Sequence, residues 1–212
     1  MGLFSYDNKF FQFISLIFDV VILSLLWTVT SLPIVTMGAS TAALYHTVDK
    51  VLRRGEGGLW KEYWRVFTRD FKRATGLWLI LLLAAAVLVI NCFLVFSFEW
   101  ETESLRSVMQ IAVIFVAALM ACWAQFWFPY LVRFDDPVKR ILRNTLGMMM
   151  AHSGVTFRLL GILLITVFME NILAQTVPVL TIVMPVAYMV AVNRMTEKMF
   201  ASYIQAQPGA EG

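Results

Sequence analysis

The chain has 212 residues, 60% of them hydrophobic, a formal net charge of +3 and a sequence pI near 9.0. A mean hydropathy of +0.75 excludes an ordinary soluble domain, which could not keep so much apolar surface from water. The basic balance does not point to nucleic acid, because the cations flank apolar blocks and form no tail or patch of their own; contact with anionic lipid heads accounts for it.

The first stretch, MGLFSYDNKFFQF, lacks a basic leader and a small-residue cleavage site. The apolar block after it is too long for the core of a cleaved leader, so a retained helix is expected. Met1-Gly2 with Ser5 fits a myristoylation start poorly. From there five spans are expected, each near the ~20 residues a bilayer demands. They cover about 14–35, 77–98, 107–128, 156–172 and 174–192. The first ends at Pro33, and the fifth is interrupted by Pro178 and Pro185. The fourth and fifth form a tight hairpin, so a four-span reading would merge or lose one of them.

Fifteen of the seventeen Lys and Arg residues fall in residues 37–76, 129–158 and 193–212; the exceptions are Lys9 and Arg106. Cations concentrate on the cytoplasmic side of membrane proteins. The expected class is therefore an all-α integral membrane protein forming one domain over 1–212, with its N-terminus outside and its C-terminus inside.

The cytoplasmic segments carry helical patterns. One is expected over 40–53, stopped by the Gly55-Glu-Gly-Gly turn. The next covers 59–73, where Trp60, Tyr63, Trp64, Phe67 and Phe71 make a helical stripe and Lys61, Glu62, Arg65, Arg69 and Lys72 occupy much of the other side. A third covers 137–150 behind Asp136 as N-cap and Pro137 at the first helical position, with Lys139, Arg140 and Arg143 facing largely away from Val138, Ile141 and Leu142. All three are expected as amphipathic helices at the membrane interface. Trp60, Trp64, Arg65, Phe67, Arg69, Arg140 and Arg143 are the candidates for cytoplasmic docking or lipid contact. Residues 59–128 and 137–192 can be read as two copies of one plan, an interfacial helix followed by an outward and a returning span. The two stretches show no convincing identity.

Asp19 is the carboxylate placed well inside an expected span, about 8 Å from the outer end of its helix. Asn91 falls at nearly the same depth, and Glu170 and Asn171 are close to it. Acids at that depth are costly and mark substrate, ion or proton sites. Two readings are open: a polar cluster of Asp19, Asn91, Glu170 and Asn171, or an aspartate that reaches the interface or bonds neighbouring helices. Gln125 is read as an interhelical hydrogen-bond partner, and Ala117, Ala121 and Ala124 as a packing stripe. His46 and His152 lack metal-ligand spacing, and Cys92 and Cys122 are expected as free, buried thiols. No phosphate-loop, nucleophile-elbow or zinc-protease motif occurs, so no catalytic residue, cofactor or metal is assigned and an enzyme is not expected.

Residues 32–45, LPIVTMGASTAALY, resemble the signature that closes the first span in the YesL-like family of bacterial integral membrane proteins. Residues 64–73, WRVFTRDFKR, and Pro137 to Met150 are similar to that family more loosely. Its genes typically accompany the solute-binding proteins and permeases of carbohydrate ABC importers, often with glycoside hydrolases. The resemblance implies an accessory, non-catalytic subunit or partner in oligosaccharide uptake at the bacterial plasma membrane, making lateral contacts with the permease subunits. The basic, partly aromatic cytoplasmic helices either dock on a permease or an ATPase or only grip the bilayer, and the bilayer reading is preferred. It supplies no site residues. The alternatives are a small transporter or channel built around Asp19, and a membrane sensor or assembly factor.

Overall fold

The computed structural model describes residues 9–97 and 102–206, and among them every regular element is a helix. Nine α-helices follow in order: α1 (Lys9–Ser31), α2 (Met37–Thr47), α3 (Leu59–Arg69), α4 (Phe71–Ser97), α5 (Glu103–Ala124), α6 (Trp127–Arg133), α7 (Val138–Ala151), α8 (Ser153–Thr176) and α9 (Met184–Ala206). Five stretches are long and apolar enough to cross a membrane: Ile14–Ser31, Phe71–Ser97, Glu103–Arg133, Ser153–Thr176 and Pro178–Glu197. Among the described residues the candidate spans number five rather than four. The protein is a multi-pass, all-helical protein of a membrane environment.

Proline sets several of the boundaries. α1 stops at Ser31, short of the expected 35, because Pro33 has no amide to donate and disfavours helix in the residue before it. The chain turns there through a short 3₁₀ segment, Ile34–Thr36. The Thr36 hydroxyl donates to the Thr30 carbonyl at 2.6 Å, satisfying one of the orphan acceptors at the end of α1. Pro129 likewise leaves the Gln125 carbonyl without its helical amide, and the third span breaks at 125–126 before resuming as α6. α8 runs on to Thr176, so the hairpin expected between 172 and 174 turns instead at Val177. Pro178 opens a 3₁₀ segment, Pro178–Val183, ahead of α9.

The helix expected at the membrane interface over 40–53 is the hub of the fold. Eight of the eleven residues of α2 are buried, and α2 packs on α1, α3, α4, α6 and α9. Its run of Gly38, Ala39, Ser40, Ala42 and Ala43 is the reason, since small side chains let neighbouring backbones close in. At Gly38 a Cβ would sit 2.5 Å from the Ala74 carbonyl oxygen and from Trp78 Cβ. The Trp78 indole N–H donates to the Ile34 carbonyl at 2.7 Å beside that approach. α2 continues as a π-helical segment, Val48–Arg53, and the turn after it uses positive φ at Gly55 (70°) and Gly57 (79°).

The segment expected as one helix over 59–73 is two, separated at Asp70. The Asp70 amide closes α3 on the Val66 carbonyl (3.0 Å), and its carbonyl opens α4 from the Ala74 amide (2.8 Å). Nor does the aromatic stripe lie on one lipid face. Tyr63 is fully buried and shares a 2.6 Å hydrogen bond with Thr30, whereas Trp60 is 62% exposed. Glu62, placed by pattern on the polar side, is buried. The third expected helix runs over 138–151. Asp136 does not cap it by a side-chain bond; its carboxylate takes the Tyr130 hydroxyl (2.6 Å) and Arg140 (2.7 Å).

The buried side chains gather at one end of the molecule. There α2, α3 and α6 meet Leu23 and Leu26 of α1, the first turns of α4 and α8, part of α7, and α9 from Val186 to Phe200. The order of a short helix followed by two long ones recurs in α3-α4-α5 and α7-α8-α9.

Candidate functional site

Two features stand out: a charged, packed base and an apolar crevice above it. The base holds three ionic clusters. In the first, Glu62 is 6% exposed and meets Lys50 Nζ at 3.1 Å, His46 Nε2 at 3.4 Å and Arg65 Nη2 at 2.5 Å. A buried carboxylate is tolerated only with such partners. Burial pushes the Glu62 carboxyl up, but the Lys50 hydrogen bond and the nearby Arg65 outweigh it, so its pKa lies below the usual value. For His46 the balance favours the neutral ring: burial, helped by Arg65, outweighs the hydrogen bond to Glu62.

The second cluster ties together segments far apart in sequence. Arg133, at the end of α6, donates to the Tyr45 hydroxyl of α2. The Thr196 hydroxyl of α9 spends its proton on the Val192 carbonyl, so Tyr45 donates to Thr196 at 3.1 Å. The Arg133 guanidinium also lies 4.6 Å over the Phe200 ring and 5.2 Å over the Tyr45 ring, and 3.8 Å from Asp49. Asp49 pairs with Arg53 and Arg54, and Arg53 reaches Asn193 and Glu197 of α9. Burial raises the pKa of Tyr45 despite Arg133, which keeps it a neutral hydroxyl. In the third cluster the fully buried Asp70 side chain pairs with Arg69 (2.7 Å) and Arg73, and Arg73 continues to Asp135.

These pairs change the reading of the docking candidates. Arg65, Arg69 and Arg140 are engaged with Glu62, Asp70 and Asp136. Among the described residues Arg143 makes no ion pair; it lines a 370 Å³ cavity with Tyr130, Asn144, Met148 and Tyr203. Trp64 and Phe67 are half-buried and touch edge to face, with ring centroids 5.3 Å apart, which leaves Trp60 pointing outward.

The crevice has a volume of about 550 Å³ and lies between α1, α8, the Pro178–Val183 segment and the start of α9. Leu163, Val167, Ile182, Pro185 and Met189 give it an apolar wall. Glu170 and Asn171 line it; Asp19 and Asn91 do not. Asn91 is exposed on α4, which packs mainly on α2 and α5, and its amide donates to its own helix at Val87. Among the described residues no hydrogen bond or ion pair joins any two of Asp19, Asn91, Glu170 and Asn171. Gln125 accepts from the Tyr188 hydroxyl at 3.0 Å and so links α5 to α9 near the crevice floor. Both cysteines are free; Cys122 is buried as expected, but Cys92, expected to be buried, is exposed on the bare face of α4.

The i,i+3 and i,i+4 pairs Glu62–Arg65, Asp70–Arg73 and Asp136–Arg140 had a local signal in their spacing. Tyr45–Arg133 had none, since 88 positions separate the two.

Residues 20–92, about a third of the chain, match the model of a family described as protein of unknown function, DUF624. The matched stretch runs from within α1 through α2 and α3 to near the end of α4, and so contains the hub. No curated protein and no solved structure matches the chain.

Proposed function

We propose that the protein is a non-catalytic membrane subunit seated against the permease subunits of a carbohydrate importer in the bacterial cell membrane. Its packed, basic end faces the cytoplasm and grips the bilayer there, with the ATPase as an alternative contact. The observation that carries the lateral contact is the bareness of the long helices. Only 6% of the apolar window is buried within the chain in each of Phe71–Ser97, Glu103–Arg133 and Ser153–Thr176. Those faces are open to other helices as well as to lipid. The carbohydrate assignment rests on the resemblance at residues 32–45, 64–73 and 137–150. The cytoplasmic orientation rests on the cation count.

Crosslinking in native membranes, followed by purification in mild detergent, tests the assignment. Importer subunits are expected in the purified complex; recovery of the chain without any of them overturns it. Labelling of single cysteines in intact cells tests orientation. Protection near Arg54 and Arg140 is expected, with access near Glu103.

One observation favours a second reading, a small transporter: Glu170 and Asn171 line a crevice between segments apolar enough to cross a membrane. Flux into liposomes holding the chain alone, compared between wild type, Glu170→Gln and Asp19→Asn, decides it. No flux above empty liposomes retires it.

A further inference from the structure

The crevice between α1, α8 and α9 sets an unusual chemical problem. It is built from segments long and apolar enough to cross a membrane, and its apolar wall suits an alkyl chain. Yet Glu170, half-buried in its lining, has no hydrogen-bond or ion-pair partner among the described residues. A carboxylate at that level is costly unless something pairs with it.

Two donors of the lining residues are uncommitted, the buried Trp27 indole N–H and the second amide proton of Asn171, and neither bonds Glu170. Thr28, Thr166 and Thr181 spend their hydroxyl protons on the carbonyls of Ser24, Ile162 and Pro178, at 2.8, 2.8 and 2.6 Å. Each therefore presents lone pairs to the crevice. Asn171 likewise commits an amide proton to Val167. The polar part of the lining holds more acceptors than free donors and includes one carboxyl group, while the rest is apolar. A complementary ligand has hydrogen-bond donors and a positive charge at one end and an alkyl chain at the other.

We propose that this crevice is a binding site for an amphiphile whose head carries a protonated amine, with the ammonium paired to Glu170 and the chain laid along Leu163, Val167, Ile182 and Met189. The amphiphile enters laterally from the bilayer. The proposal does not use the identity of any protein that covers the long helices, although α8, one of those helices, forms a wall of the crevice. The ammonium offers three donors, enough for the carboxylate and the neighbouring threonine oxygens. The crevice volume of about 550 Å³ falls within the ~300–1,000 Å³ of small-molecule sites.

Native mass spectrometry of the full chain in a non-ionic detergent tests the site with two probes of equal chain length and opposite charge, dodecylamine and dodecanoate. Wild type is expected to retain dodecylamine at least about tenfold more tightly than dodecanoate. Glu170→Gln, nearly isosteric and checked for unchanged elution on gel filtration, is expected to remove that preference. Leu163→Trp, which fills the crevice, is expected to lose dodecylamine altogether. A separate arm with phosphatidylethanolamine and phosphatidylcholine identifies the source: preference for the former assigns a bilayer lipid, and equal retention assigns a free amphiphilic amine. Equal retention of the two dodecyl probes by wild type overturns the proposal. So does an undiminished amine preference in Glu170→Gln, or wild-type amine binding in Leu163→Trp.

Discussion

The base and the shafts of this molecule are held by different physics. In the base, α2 is enclosed on nearly all sides, and buried charges are matched group by group around Glu62, Asp70 and Arg133. Along the shafts, Leu83, Val89, Phe93, Ile111 and Phe157 are each more than 65% exposed to whatever surrounds the chain. Lipid tails are as apolar as leucine, so burying such side chains against protein gains little in a membrane. The difference teaches where this fold stores its specificity. The shafts are defined by length and apolarity, and the base by particular contacts.

Substitutions can break that contrast, and the largest effect is expected at Arg133. Its side chain is 10% exposed. Arg133→Ala removes the cation shared by Tyr45, Asp49 and Phe200 and leaves part of the network unpaired, at a cost of about 3–5 kcal/mol. Thermal unfolding in detergent is expected to show it as the lowest Tm of the set. A Tm near wild type would mean that the network is not holding α2, α6 and α9 together. Next comes Gly38→Ala, where the added methyl meets the α4 backbone; overpacking of this kind costs about 1–3 kcal/mol. Trp78→Phe deprives the Ile34 carbonyl of its indole donor and is expected to lose about 1 kcal/mol, measurable in the same assay.

Acid sharpens the contrast more gently. The folded state lowers the pKa of His46, so the unfolded chain binds its proton more readily, and stability falls as the pH drops below about 6.5. Glu62 adds a second loss at lower pH. Its folded pKa is also depressed, so its contribution is present above its unfolded value and disappears as the pH falls through the folded one. His46→Gln is expected to flatten the upper limb of a Tm-against-pH curve and leave the lower limb in place. The smallest effect belongs to the shafts. Leu83→Ala or Phe93→Ala is expected to stay within about 0.5 kcal/mol of wild type when measured in lipid. A loss as large as that of Gly38→Ala would show that a shaft face is covered.

The same contrast explains what could be read before the structure. Runs of apolar residues are a local property, so the five spans were legible, with ends misplaced where Pro33, Pro129 and Pro178 redirected the backbone. The amphipathic stripe of 59–69 was legible as a helix, but periodicity does not say whether a face meets lipid or protein. Tyr63 and Glu62 turned inward because Thr30, Lys50 and His46 await them there. The role of α2 was hidden for a related reason: its small residues look like a weak helix until another backbone is brought against them. Depth counting placed Glu170 near Asp19, but a shared depth is not a shared location. Glu170 faces the crevice, and Asp19 lies outside it.

The hub also has a history written into it. Tyr45 leaves the ribosome 151 positions before Thr196, which at usual synthesis rates is a delay of about 8–30 s. Throughout that interval α2 is complete but has nothing to close on from α9. A nascent chain of this design must be sheltered by the insertion machinery until its final helix arrives, and a message cut short before α9 yields a product with an open, charged wound fit for proteolysis.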